Sequence, residues 1–265
     1  MRPPIAGLLA SLLLPMLHAC SGGSDAAPST APEATHPGKA SPDFSGTWER
    51  FPDPYAVFND NPFAEEPPPP NGGPQLKEPY ASEYQTLTER KAAAMKAGKP
   101  LADPSTQCRP EGVPTLMGAI YPIEIVQTPQ QLVVLTEFLT QTRRIYLNEK
   151  MPPLDDISPS YTGHSVAHWE GQTLVVQTLG VREDVRFVDI PHSAQMTVTE
   201  RIRLTGPDLL ENEITIDDPA FLARPYRFTF GYRRNPDYRI MEYICDNNRN
   251  KFDAEGNVSL EVAPK

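Results

Sequence analysis

The stretch MTVTERIRLTGPDLLENEITID, residues 196–217, decides the fold. Met196, Val198, Ile202 and Leu204 alternate with Thr197, Thr199, Arg201 and Arg203, so apolar and polar side chains take opposite faces of a strand. Gly206-Pro207-Asp208 supplies a turn, and a second strand is predicted at 209–217. Outward from this hairpin the same period predicts strands at 121–128, 131–138, 142–148, 163–169, 173–179, 225–233 and 238–245. Thr128-Pro129-Gln130, Glu170-Gly171-Gln172 and Asn235-Pro236-Asp237 are further turn signals. Short connections between consecutive strands imply an antiparallel meander. Nine strands in one sheet would curl, so the expectation is an all-β fold closing into a barrel, with a two-sheet sandwich as the alternative.

Ahead of this β domain (105–250) the chain is rich in proline. Of its 31 prolines, 13 fall between residues 21 and 80, including Pro67 to Pro70 in a row. Such a segment cannot build a sheet interior. Within 43–104, Phe44-Ser45-Gly46-Thr47-Trp48 reads as a short strand, and 76–98 as one N-terminal helix ended by Gly98 and Pro100. Residues 251–265 form a tail.

The opening residues read as an address. Arg2 is followed by a mostly apolar run, Ile5 to Leu17, too short to span a bilayer as a helix. Leu17-His18-Ala19-Cys20 resembles a bacterial lipobox, with a small side chain before the cut and a thiol to take the lipid. The expectation is a signal peptide at 1–19, lipidation at Cys20, and a flexible tether at 20–42. Ser21, where an acidic residue would retain the protein at the inner membrane, directs it to the outer membrane, facing the periplasm. Membrane contact would then be through acyl chains only.

With Cys20 acylated, Cys108 and Cys245 remain, and an oxidising compartment favours their pairing as a disulfide. A redox or nucleophilic cysteine is the alternative, although neither sits in a CxxC or beside a histidine. The net charge of −10, with no basic stripe, argues against nucleic acid as a partner. No Rossmann or P-loop glycine pattern and no HxH or HExxH is present, so no cofactor and no metal is expected.

Candidate site residues are polar groups on apolar faces. Glu200 shares its face with Val198 and Ile202, and Glu242 lies between Ile240 and Ile244. A buried carboxylate needs a partner, which for Glu200 would be Arg143 or Arg144; Arg144 is taken into the candidate site. His164 and His168 share one side of a strand, roughly 13 Å apart, too far to hold one metal without a bend. His192 lies nearby in sequence. These histidines are read as structural or pocket groups, general acid/base groups, or metal ligands. Ser165 and Ser193 each follow a histidine, but no GxSxG elbow supports a nucleophilic serine. Tyr226, Phe228, Phe230 and Tyr232 form an aromatic face, either core or pocket wall.

Two resemblances follow from these residues. Gly46-Thr47-Trp48 resembles the GxW opening of lipocalins and related calycin barrels, which implies a tryptophan packed across the base of a lipocalin-like barrel. YPIEIVQTP (121–129), RRIY (143–146), GHSVAHWEGQTLVV (163–176), PHS (191–193), ERIR (200–203) and MEYICDNN (241–248) together resemble a family of secreted bacterial proteins without an assigned activity. Three functions are compatible with this reading. The first is a small-molecule binder for an amphipathic or apolar ligand, oriented by His164, His168, His192, Glu200, Glu242 and Arg144. The second is a periplasmic isomerase, lyase or hydrolase in which His164 or His168 works with Glu200. The third is an envelope assembly protein.

Overall fold

The computed structural model describes residues 41–53, 56, 69–118, 120–187, 189–245 and 250–260. The signal segment, Cys20, nearly all of the tether, Pro67, Pro68 and the last five residues lie outside these. Nine strands close into a barrel: β1 (Gly46–Arg50), β2 (Ile123–Gln127), β3 (Gln131–Thr136), β4 (Thr142–Leu147), β5 (His164–Glu170), β6 (Thr173–Leu179), β7 (Thr197–Gly206), β8 (Leu209–Asp217) and β9 (Tyr226–Arg234). A separate two-stranded ribbon pairs β10 (Asn250–Phe252) with β11 (Val258–Leu260). The fold is all-β and barrel-like, as the period-two pattern predicts.

Closure has a parity requirement. An odd number of strands cannot alternate direction all the way round, so at least one neighbouring pair must be parallel. That pair is β4–β5, with Ile145 opposite Ser165 and Leu147 opposite Ala167. Residues 148–163 carry the chain back from one end of the barrel to the other, as a parallel pair demands. Every other neighbouring pair is antiparallel.

The closing strand is β1, paired to β2 on one side and β9 on the other. It comes from the Pro-rich region rather than from the expected strand at 238–245. That stretch contains no strand, because β1 already occupies the place beside β9. It forms a strap satisfied by side chains instead. Tyr238 donates to Glu137 Oε2 at 2.7 Å, the Met241 amide donates to the same oxygen at 3.1 Å, and Thr140 donates to the Tyr243 carbonyl at 2.9 Å. The Cys108–Cys245 disulfide pins its end. Glu242 is therefore exposed, not inside a central strand.

The helix expected at 76–98 is α1 (Tyr80–Lys96). It buries none of its residues fully and is fastened by Tyr80 on Phe221 (4.0 Å between rings), half-buried Tyr84, and Lys91 to Asp189 (2.6 Å). A single turn, α2 (Thr115–Gly118), carries buried Leu116 and Met117.

The interior is filled. At the end where β1 begins, Trp48 is fully buried. Its Nε1 donates to the Phe44 carbonyl at 2.9 Å, and the Arg234 guanidinium lies 4.2 Å from its ring. At the opposite end, the mouth, the two last carbonyls of α2 are capped from the barrel. Tyr232 donates to Met117 O at 2.6 Å and Arg50 to Gly118 O at 3.0 Å, which satisfies helix-end acceptors that would otherwise be orphaned. Gly112, which precedes this plug, has φ +69°, and a Cβ there would lie 2.2 Å from the Tyr161 carbonyl, so only glycine fits.

Candidate functional site

Two polar clusters lie inside the barrel. The first is at its waist. Parity on β4 puts Arg143 inward with Ile145 and Leu147, and Arg144 outward into solvent. Arg143 and Glu200 are both fully buried and form a bidentate ion pair: Nη1 meets Oε1 at 3.1 Å, and Nη2 meets Oε2. The remaining Arg143 donors reach Ser165 Oγ (3.2 and 3.3 Å) and Thr178 Oγ1 (2.9 Å), which also bond each other at 2.8 Å. Asn212 Nδ2 donates to Glu200 Oε1 at 2.8 Å, while Asn212 Oδ1 is buried without a partner. Burial drives the nearby Tyr232 hydroxyl well above the ordinary tyrosine range, which keeps it a donor to Met117. The inward arginine is thus Arg143, a correction to Arg144, and the signal was present: Arg143, not Arg144, shares the parity of Ile145 and Leu147.

The second cluster is at the mouth. Val113, Phe187, Ile190, Met196 and Leu222, with Ile216 from β8, enclose a cavity of about 10 Å³, room for about one water molecule. Two polar residues line it, His192 and Asp218, both buried. Asp218 is satisfied: Oδ2 accepts from the Ser193 amide at 2.6 Å, and Oδ1 from Ser193 Oγ at 3.1 Å and the Ala220 amide at 3.0 Å. His192 is not. Its Nδ1 lies 3.0 Å from the Ser193 carbonyl, but Nε2 is buried with no partner.

The remaining predicted residues are elsewhere. On β5 Ser165 and Ala167 face inward, so His164 and His168 face outward, across the wall from Glu200. His164 is half-buried, stacks on Tyr146 (5.4 Å between rings) and has a buried, unpartnered Nε2. His168 is exposed, 3.4 Å from Glu170. Glu170 also accepts from Arg201 at 2.9 Å, and these hydrogen bonds, Arg201's foremost, lower its pKa. The six candidate residues therefore do not share one pocket. Among the described residues, no group of three or more His, Cys, Asp or Glu side chains is placed to hold a metal.

Sequence reasoning missed Asp218 and Glu111. Asp218 follows β8, where its polar neighbours read as a strand end. Glu111, between Cys108 and the plug, is half-buried; burial first, then the charge of Asp103, pushes its carboxyl from 4.5 up to about 7. Nothing in the local pattern marks it.

The fold and the two clusters define a class: a filled, closed β barrel with a buried ion pair at its waist and a small apolar cavity at its mouth. No protein-family model matches the chain, and no curated protein sequence does.

Proposed function

We propose that this protein is an outer-membrane lipoprotein, anchored through Cys20 and facing the periplasm, whose barrel binds a small amphipathic or apolar ligand at its mouth. The observation that carries the reading is the closed barrel, at whose mouth the buried His192 is among the residues around a small apolar cavity. Its Nε2 has no protein partner, so a water or a ligand atom is what would satisfy it. The cavity has room for about one water, so a larger ligand requires the mouth to repack. The waist is not the binding site in this reading, because Arg143 and Glu200 already spend their charges on each other. The anchor rests on the lipobox-like LHAC at 17–20.

The test uses the full chain carrying Cys20→Ser, so that no acyl chain competes. A naphthalene sulfonate dye, fluorescent in apolar surroundings, is expected to bind at one saturable site. Met196→Trp, which fills the cavity, should abolish that binding while the circular dichroism of the barrel is retained. Dye binding that never saturates, or that Met196→Trp leaves unchanged, refutes the proposal.

A further inference from the structure

We propose that the outer wall of β2, β3 and β4 is a contact surface for a second copy of this chain, paired about a two-fold axis. Alternation along these strands sends Glu124 and Val126 of β2, Val133 and Leu135 of β3, and Arg144 and Tyr146 of β4 outward. Register makes them one patch. Val126 stands beside Val133 and Val133 beside Arg144, while Glu124 stands beside Leu135. Val126 is 41% exposed, and Glu124, Val133 and Leu135 are half-buried. The strap borders the patch on one side, where Thr47 donates to the Tyr238 carbonyl at 3.4 Å, and the stack of Tyr146 on His164 closes it on the other.

The charges name the occupant. Glu124 and Arg144 flank the apolar stripe of β3 from opposite sides, and among the described residues neither forms an ion pair. The wall from β5 to β8 is different: there Arg201 pairs with Glu170 and Arg203 with Glu211, within the chain. A surface with one unpaired acid and one unpaired base on either side of an apolar stripe is complementary to itself. A two-fold axis lying in the contact and crossing β3 between Val133 and Leu135 turns Glu124 of one copy toward Arg144 of the other, and the reverse, so the same ion pair forms twice. The apolar stripes of the two copies then cover each other. A partner of single charge sign would satisfy one of the two residues and be repelled by the other. Three short strands offer less area than a permanent dimer buries, so the association is weak and reversible. This pairing is independent of what the barrel binds.

Sedimentation velocity of the full Cys20→Ser chain over a concentration series tests the contact. With its wall unaltered, the chain should show a monomer–dimer equilibrium that weakens as salt is raised. Glu124→Arg and Arg144→Glu each set like charges against each other twice. Each should weaken dimerisation at least about tenfold while circular dichroism shows the barrel retained. An equimolar mixture of the two variants should dimerise as strongly as the unaltered chain, because every contact between unlike copies again joins an arginine to a glutamate. The double variant Glu124→Arg, Arg144→Glu, which exchanges the charges within one chain, should do the same on its own. Association through any other part of the chain, the apolar opening residues included, would not follow this pattern. A chain that stays monomeric across the series, or a dimer that both single variants leave intact, overturns the proposal. So does a loss that neither mixing nor the exchange restores.

Discussion

The waist and the mouth of this barrel bury polar groups of similar chemistry to opposite ends. At the waist, every guanidinium nitrogen of Arg143 has a partner among Glu200, Ser165 and Thr178. At the mouth, Asp218 is satisfied but His192 Nε2 is left open beside a cavity. The waist also keeps one unpartnered atom, Asn212 Oδ1, but its two charges are spent on each other. The mouth differs in having a cavity beside His192. The difference separates structure from function more sharply than residue type does, since glutamate, arginine and histidine are all familiar catalytic groups.

The strongest way to break the comparison is to cut the waist. Glu200→Ala or Arg143→Ala leaves a lone charge at a site with no solvent contact, and should cost about 3–5 kcal/mol in urea unfolding. The double variant Arg143→Met, Glu200→Leu should recover most of that loss, because the desolvation penalty of both charges goes with them. A single variant that keeps full stability but loses dye binding would move the functional site from the mouth to the waist.

How much of this was legible in the sequence follows from period and distance. Eight of the nine barrel strands were readable from alternation, because each has one face in the core and one in water. The ninth, β1, was visible as GTW but not as the closing strand, since closure is a long-range pairing of residues 46–50 with both 123–125 and 232–234. The stretch 238–245 alternates well enough to read as a strand, and only the occupied edge of β9 turns it into a strap. Glu200 stood out because it interrupts an apolar face. The spacing of His164 and His168 said they share a side but not which side, which Ser165 settles by pairing with Arg143. His192 stands out in the sequence only by lying near His164 and His168, because a cavity has no local pattern. Asp218 and Glu111 left no signal for the same reason: what makes each of them special is contributed by residues far along the chain.

The next effect is smaller and sharpens the contrast through pH. Glu111 leads from the disulfide at Cys108 into Gly112 and Val113, the start of the mouth plug. Its carboxyl titrates near 7 when folded and near 4.5 when not. The folded state therefore holds the proton more tightly. Its contribution is fully present below about pH 4.5 and is lost as the pH rises through about 7, by which point the loss has reached about 3 kcal/mol. Thermal unfolding of the wild-type chain should show a midpoint lower by several degrees at pH 8 than at pH 5. Glu111→Gln should flatten that slope and be the more stable of the two at pH 8. Parallel curves for the two chains would remove Glu111 as the group that makes the mouth pH-sensitive.

The smallest effect is the most diagnostic. His192→Phe replaces a buried ring with one of similar shape, losing the Nδ1 bond to Ser193 and relieving an unsatisfied Nε2. These two contributions are each about 1 kcal/mol and opposite in sign, so the unfolding midpoint in urea should barely move. Glu200, fully buried at the waist, cannot be removed at that cost. An unchanged midpoint would show that the fold does not depend on the imidazole nitrogens of His192. If His192→Phe destabilised the chain as much as Glu200→Ala, the mouth would be a second structural network, and the distinction between the two ends of the barrel would fall.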